Sequence, residues 1–247
     1  MASDALTSDA PAPRGRIAFF DTLRGFTVIS MVCFHAAYDA AYIYGYGLDW
    51  FLDPMIQNLW RASISWVFLA LAGWMCSLSR NNVRRGLRYA AAALAVWAAT
   101  SIAAVDTPIS FGIIFCMAAS TLIYAAVAPA LKRIPAGIGL LLCLALFAVT
   151  YGVPDATIPF RGLSWLGFPG PGFVSGDYYP LIPFTFMYLA GAFGAQLFTK
   201  LTHGSYPEWM RRFDIPPLRV IGNHSLAIYL IHQIALVGIF EALALLA

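Results

Sequence analysis

The chain has 247 residues, of which 60% are hydrophobic, 15% aromatic and only 11% charged. About a quarter of the residues in a soluble domain are charged, so this much apolar side chain does not fit inside one soluble core, and a soluble globular protein is excluded. The net charge of +3 says little by itself, because in a membrane protein the placement of charges matters more than their sum.

Seven apolar segments are long enough to cross a bilayer as helices. They are predicted over residues 17–44, 56–80, 86–105, 108–131, 135–152, 180–199 and 218–245. The polar, Ala-, Ser- and Pro-rich residues 1–15 are predicted to be a disordered cytoplasmic N-terminus, followed by a single transmembrane domain over 16–247. The sequence therefore predicts an all-α polytopic integral membrane protein with about seven transmembrane helices.

The lysines and arginines are distributed unevenly between the two sides of this layout. With the N-terminus in the cytoplasm, 12 of the 15 Lys and Arg residues fall in inner segments. These are Arg14, Arg16, Arg80, Arg84, Arg85, Arg88, Lys132, Arg133, Lys200, Arg211, Arg212 and Arg219. Arg61 and Arg161 fall outside, and Arg24 lies within the first span. The asymmetry predicts a cytoplasmic N-terminus and an extracytoplasmic C-terminus.

This topology places the long segment 150–179 outside the cell. It is rich in Gly, Pro and aromatic residues, and loops of this length without regular structure are often functional. The alternative is a passive aromatic lid at the membrane interface. The basic residues flank membrane spans, which the topology already explains, so no nucleic-acid partner is predicted.

Four ionisable residues, Asp21, Arg24, His35 and Asp39, interrupt the first apolar segment. The spacing of Arg24 and His35 places them within ~20° around a helix and ~16 Å apart along its axis. Asp21 can contact Arg24 at i, i+3, and His35 can contact Asp39 at i, i+4. Ionisable groups at this depth are functional candidates, the alternative being a structural hydrogen-bonded cluster between helices.

An imidazole next to a carboxylate suits a general base, because the carboxylate fixes the tautomer and raises the basicity of the free nitrogen. The same arrangement suits a proton relay in a transporter. His203, in an inner loop, is predicted to be solvated, whereas His224 and His232 are predicted to have packing roles. The four cysteines have neither metal-type nor disulfide-type spacing, and no metal site is predicted.

The stretch Asp21–Asp39 resembles the first helix of the bacterial membrane proteins grouped with heparan-alpha-glucosaminide N-acetyltransferase. The segments 68–80 ("FLALAGWMCSLSR"), 109–120, 175–194 ("SGDYYPLIPFTFMYLAGAFG") and 222–233 ("GNHSLAIYLIHQ") are similar to later segments of that family, in the same order. The spacing of Arg24 and His35 is also similar to the catalytic motif of the wider acyltransferase-3 membrane enzymes.

The resemblance implies a transmembrane acyltransferase of the inner (plasma) membrane. It would take an acetyl or other acyl group from cytoplasmic acetyl-CoA, a co-substrate, and deliver it to an extracytoplasmic or lipid-linked sugar. His35 would be the catalytic imidazole, acting as base or acyl carrier. Asp39 would orient His35, and Arg24 would hold the donor. Acetyl-CoA, a carbohydrate acceptor, the bilayer and a second copy of the chain are the expected partners.

Two further groups of residues are candidates for substrate binding. The phosphates of acyl-CoA suit arginine forks, so donor contacts are predicted for Arg24, Arg80, Arg84, Arg85 and Arg88, although inner-side arginines also follow from topology alone. A carboxylate and two aromatic rings suit a sugar, so acceptor contacts are predicted for Asp177, Tyr178 and Tyr179. The alternative function is a small transporter or exporter that uses Asp21, Arg24, His35 and Asp39 as a polar path.

Overall fold

The computed structural model describes residues 17–103 and 107–246, and the regular elements in these ranges are all helical. The segment 1–15, predicted to be disordered, lies outside them. The helices are α1 (Ala18–Tyr38), α2 (Asp49–Leu52), α3 (Pro54–Cys76), α4 (Asn82–Ala103), α5 (Ile113–Leu131), α6 (Ala136–Thr150), α7 (Leu181–Leu201), α8 (Glu208–Arg212), α9 (Pro216–Asn223) and α10 (Ser225–Leu246). A π-helical turn, Asp39–Ile43, continues α1, and a 3-10 turn, Val153–Asp155, follows α6.

The seven predicted spans are confirmed. Among the described residues, seven helices are long and apolar enough to cross a membrane: Ala18–Ile43, Pro54–Cys76, Asn82–Ala103, Ile113–Leu131, Ala136–Asp155, Leu181–Leu201 and Ser225–Leu246. The protein is thus a multi-pass membrane protein.

The predicted start of the last span was wrong. Residues 218–245 do not form one helix, because the chain breaks at His224 (φ −103°, ψ 14°) between α9 and α10. The two prolines that open α9 are favoured in a first helical turn, where no N–H is needed for an intrahelical bond. α9 therefore begins at these prolines, ends at Asn223 as a short separate helix, and packs against α1.

Glycines let the helices approach closely, as is common in membrane bundles. A Cβ added to Gly25 of α1 would collide with the carbonyl of Leu218 on α9, and one added to Gly222 of α9 would collide with the carbonyl of Asp21. Gly73 of α3 meets the backbone of Tyr188 on α7 in the same way. Backbone therefore touches backbone at the α1–α9 and α3–α7 crossings.

The main core lies between α3, α5 and α7, around the fully buried Leu69, Cys116 and Tyr188. The Tyr188 hydroxyl bonds to Thr121 Oγ1 at 2.7 Å and contacts Cys76 Sγ at 2.6 Å. A smaller core of Phe20, Leu71 and Met210 joins the start of α1 to α3 and α8.

The bundle has two chemically different ends. We call the end with the α3–α4, α5–α6 and α7–α8 connections the basic end, because it carries Arg80, Arg84, Lys132, Arg133 and Lys200. The opposite end, the loop end, carries residues 151–180. This segment is tied down by backbone bonds such as Tyr179 N to Phe111 O at 2.9 Å and Leu181 N to Trp165 O at 3.1 Å.

Candidate functional site

The first polar pair of α1 forms as its spacing predicts. Arg24 Nη1 donates to Asp21 Oδ1 at 3.0 Å, and both side chains are largely buried, with 22% and 10% exposure. Arg24 therefore enters the bundle as part of an ion pair, with one side of its guanidinium held by its own helix.

Arg24 lines a narrow cavity of about 70 Å³ between α1, α3, α4, α5 and α10. Its polar lining residues are Arg24, Arg85, Tyr89, Ser225 and Tyr229, and the rest of its wall is aliphatic and aromatic. Ligand pockets usually measure several hundred Å³. A cavity this small accepts the end of a chain-like group, whereas a whole nucleotide does not fit.

Arg85 of α4 is the second cation of the cavity. Its Nη2 donates to Ala72 O at 3.1 Å and its Nε to the Tyr89 hydroxyl at 3.3 Å. Its guanidinium carbon also lies 5.6 Å from the centre of the Tyr89 ring. Within the described ranges, no carboxylate is paired with Arg85, so its charge is available to an anion that enters the cavity.

The other three predicted donor contacts lie elsewhere. Arg80, Arg84 and Arg88 are exposed, and none of them lines the cavity. The structure thus separates the five predicted arginines into a pair inside the bundle and a group on its surface at the basic end.

Tyr229, which lines the cavity, also contacts Asp177 of the loop segment 151–180. Asp177 Oδ2 accepts from the backbone N–H of Ile113 at 3.0 Å, which caps α5, and the Tyr229 hydroxyl is hydrogen-bonded to the same carboxyl group. Burial raises the pKa of the Asp177 carboxyl to about 6, while the Ile113 bond and the charge of Arg61 oppose this rise.

The second polar pair of α1 turns toward α10. The half-buried His35 ring lies edge-on to the His232 ring, with centroids 4.9 Å apart. The Asp39 carboxylate, 1% exposed, accepts from Gln233 Nε2 at 3.0 and 2.9 Å. An orienting role of Asp39 toward His35 stays a prediction, and Gln233 is one polar partner of Asp39.

The three predicted acceptor contacts point in different directions. Tyr178 packs on Phe173, donates its hydroxyl to Ser164 O at 2.6 Å, and lines an open cleft of about 450 Å³ at the loop end. Tyr179 is buried in the main core against Phe184. Burial raises the pKa of both tyrosines, that of Tyr178 to about 12. Only Tyr178 lines the open cleft.

Sequence reasoning missed three functional candidates on α10: Tyr229, His232 and Gln233. They occupy i, i+3 and i+4 positions of one helix face, so all three can turn toward α1 and the cavity. The signal was a polar patch inside an apolar span, which is itself a functional hint in membranes. This polar patch was not enough to predict the site, because the spacing of residues along α10 does not show which helix α10 contacts.

A comparison with known protein families shows to which family the chain belongs. The family model described as heparan-alpha-glucosaminide N-acetyltransferase, catalytic, matches residues 16–234. The chain belongs to this family. The match covers the cavity, His35, Asp177 and the polar face of α10, so these features lie in the part of the chain that the acetyltransferase family shares. No curated protein and no solved structure matches the chain.

Proposed function

We propose that the protein transfers an acetyl or other acyl group from cytoplasmic acetyl-CoA to an extracytoplasmic or lipid-linked sugar. The observation that carries this proposal is the cavity. It has two arginines, Arg24 and Arg85, among its lining, and Tyr229 joins it to Asp177 and, one helical turn further, to the His35–His232 contact.

The donor is proposed to bind from the basic end, which the distribution of Lys and Arg predicts to face the cytoplasm. Arg85 has neutral partners, so an anionic group of the donor would complete its coordination. Since the cavity is narrow, we place the acyl-pantetheine arm inside it, with the pyrophosphate that joins this arm to the nucleotide at the cavity mouth beside Arg85. The nucleotide would remain outside, where Arg80, Arg84 and Arg88 are exposed to solvent.

The acceptor is proposed to bind at the loop end. The open cleft is lined by Thr107, Asp155, Thr157, Ser175 and the rings of Phe173 and Tyr178. Hydroxyl and carboxylate groups beside aromatic rings can hydrogen-bond and stack on a sugar. The family description names a glucosaminide, so an amino sugar is the acceptor class that we propose first.

His35 is proposed as the base or acyl carrier. It lies between the two ends of α1, half-buried and in contact with α10. A neutral imidazole can take the proton of an attacking amine or hydroxyl, or can itself attack the thioester carbonyl.

The experiment is thiol release from acetyl-CoA by purified protein in nanodiscs, with methyl α-D-glucosaminide as the acceptor probe. His35→Ala is expected to lower the rate at least ~100-fold while thermal stabilisation by CoA persists. The matched control is His203→Ala, an exposed histidine outside the bundle, which should keep the wild-type rate. If neither CoA nor acetyl-CoA stabilises the wild type at millimolar concentration, the proposal fails. The polar residues of α1 should then be tested as a transport path.

A further inference from the structure

His232 of α10 has a fixed tautomer. The residue is 8% exposed, and its Nδ1 lies 2.7 Å from the backbone oxygen of Tyr229. A carbonyl oxygen only accepts hydrogen bonds, so Nδ1 of the neutral ring carries the proton. The lone pair is therefore on Nε2, the nitrogen on the far side of the ring.

The Nε2 atom is buried and lacks a hydrogen-bond partner within residues 17–103 and 107–246. Buried polar atoms are nearly always paired, and a native exception calls for a functional or structural explanation. The ring of His35 lies edge-on to this imidazole at 4.9 Å. An unpaired proton-accepting nitrogen thus belongs to the ring that contacts His35, the residue proposed to carry out the chemistry.

We propose that His35 and His232 act as one imidazole pair, in which Nε2 of His232 takes the proton that His35 releases during acyl transfer. This inference rests on the proposed function and assigns His232 as a positioning residue, because it acts through His35 and does not touch the substrate. It adds His232 to the orienting role that the sequence predicts for Asp39, whose carboxylate accepts from Gln233.

The proton balance of the step is complete without another reagent. The acceptor amine attacks the thioester carbonyl and its proton goes to the lone-pair nitrogen of His35, while the proton on the other ring nitrogen of His35 passes to His232 Nε2. The carbon–nitrogen bond forms and the carbon–sulfur bond breaks, so CoA leaves as a thiolate. His232 returns its proton through His35, which protonates the thiolate and restores both neutral rings.

Two substitutions of His232 separate this role from a purely structural one. His232→Asn keeps an amide N–H near the position of Nδ1, so the bond to Tyr229 survives but nothing replaces Nε2. His232→Gln places an amide oxygen near the position of Nε2, where it can accept a hydrogen bond from His35 and orient that ring but cannot take its proton, and it loses the tie to Tyr229. In the thiol-release assay with methyl α-D-glucosaminide, we expect a ~100-fold loss for His232→Asn and a smaller, ~10-fold loss for His232→Gln. A wild-type rate in folded His232→Asn would overturn the inference.

His224 provides a matched control on the same stretch of chain. Its Nδ1 also bonds to a backbone oxygen, that of Val220 at 2.9 Å, but the residue is exposed. His224→Asn and His224→Gln should therefore both stay within about twofold of the wild-type rate, and equal losses at His224 and His232 would contradict a specific role for His232.

A second measurement tests the pair without turnover. In nanodiscs with ¹⁵N-histidine-labelled protein, His232 should show a protonated Nδ1 and an unprotonated Nε2, and His35→Ala should shift the Nε2 resonance of His232 but leave His224 unchanged. A protonated Nε2, or a His232 signal that ignores His35→Ala, would refute the pairing. If wild-type protein released no thiol, the acyltransferase proposal would fail, whereas the NMR result would still decide on the imidazole pair.

Discussion

The charged side chains at the two ends of the bundle differ in sign and in the partners that they have. At the basic end, Arg24 is paired with Asp21 inside one helix, and Arg85 has only neutral partners in the described chain. At the loop end, Asp39 and Asp177 are each held by an N–H group from another part of the chain. Cationic groups are therefore available to an anion at one end, whereas the carboxylates at the other end are already hydrogen-bonded within the chain.

The largest expected effect comes from disrupting the close contact between α1 and α9. Gly25→Ala should destabilise the protein strongly, by about 3 kcal/mol or more, because the new methyl group meets the carbonyl of Leu218. The α1–α9 contact would open beside Asp21. Thermal melting in detergent measures the change.

The control for this prediction is Gly238→Ala on α10, where an added Cβ meets no atom within 4 Å. Alanine is the better helix former by about 1 kcal/mol, so this variant should be neutral or slightly stabilised. Similar melting temperatures for the two variants would mean that backbone contact does not hold α9 on α1.

The difference between inner and surface arginines gives the second prediction. Arg85→Gln should weaken CoA binding about 10- to 100-fold, because it removes a charge-assisted contact inside the bundle. Arg84→Gln changes the neighbouring, exposed residue of the same helix and should weaken binding only about two- to threefold, through long-range charge. Calorimetric titration with CoA in nanodiscs gives both dissociation constants. Equal losses would place the donor on the surface of the basic end.

Sequence reasoning succeeded for features that depend only on residues close together in the chain. A helix needs a long apolar run to cross a bilayer, so composition alone located all seven spans, with the start of the last one as the main error. The Asp21–Arg24 pair was predictable for the same reason, since i, i+3 neighbours meet on any helix. Likewise, the two prolines at 216–217 mark the start of α9, but they do not locate its break from α10 at His224.

The rest of the site depends on contacts between helices, which spacing does not encode. The contact between His35 and Asp39 stays a prediction, and the structure adds a contact of the His35 ring with His232, nearly two hundred residues later in the chain. Arg85 and Arg84 were indistinguishable in sequence, and only the packing of α4 turns one inward. Asp177 was predicted to contact the acceptor, and the sequence did not indicate that the loop folds its carboxyl onto the N-terminus of α5.

That position of Asp177 leads to the smallest effect, a pH dependence specific to the loop end. Burial raises the pKa of Asp177 from an ordinary value of 3.8 to about 6. A raised carboxyl pKa means that the folded state prefers the protonated group, so this stabilisation is complete below the ordinary value and is lost as pH rises through about 6. Asp177→Asn keeps the bond to Ile113 N–H without the charge. It should therefore raise the melting temperature at pH 7.5 by ~2–4 °C but change it little at pH 4.

Asp155→Asn, in the exposed 3-10 turn of the same segment, should produce no such difference between the two pH values. If Asp177→Asn instead destabilises the protein at pH 7.5, the ionised carboxylate is a favourable partner of Arg61 and Tyr229, and the loop end holds a true ion pair like the one between Asp21 and Arg24.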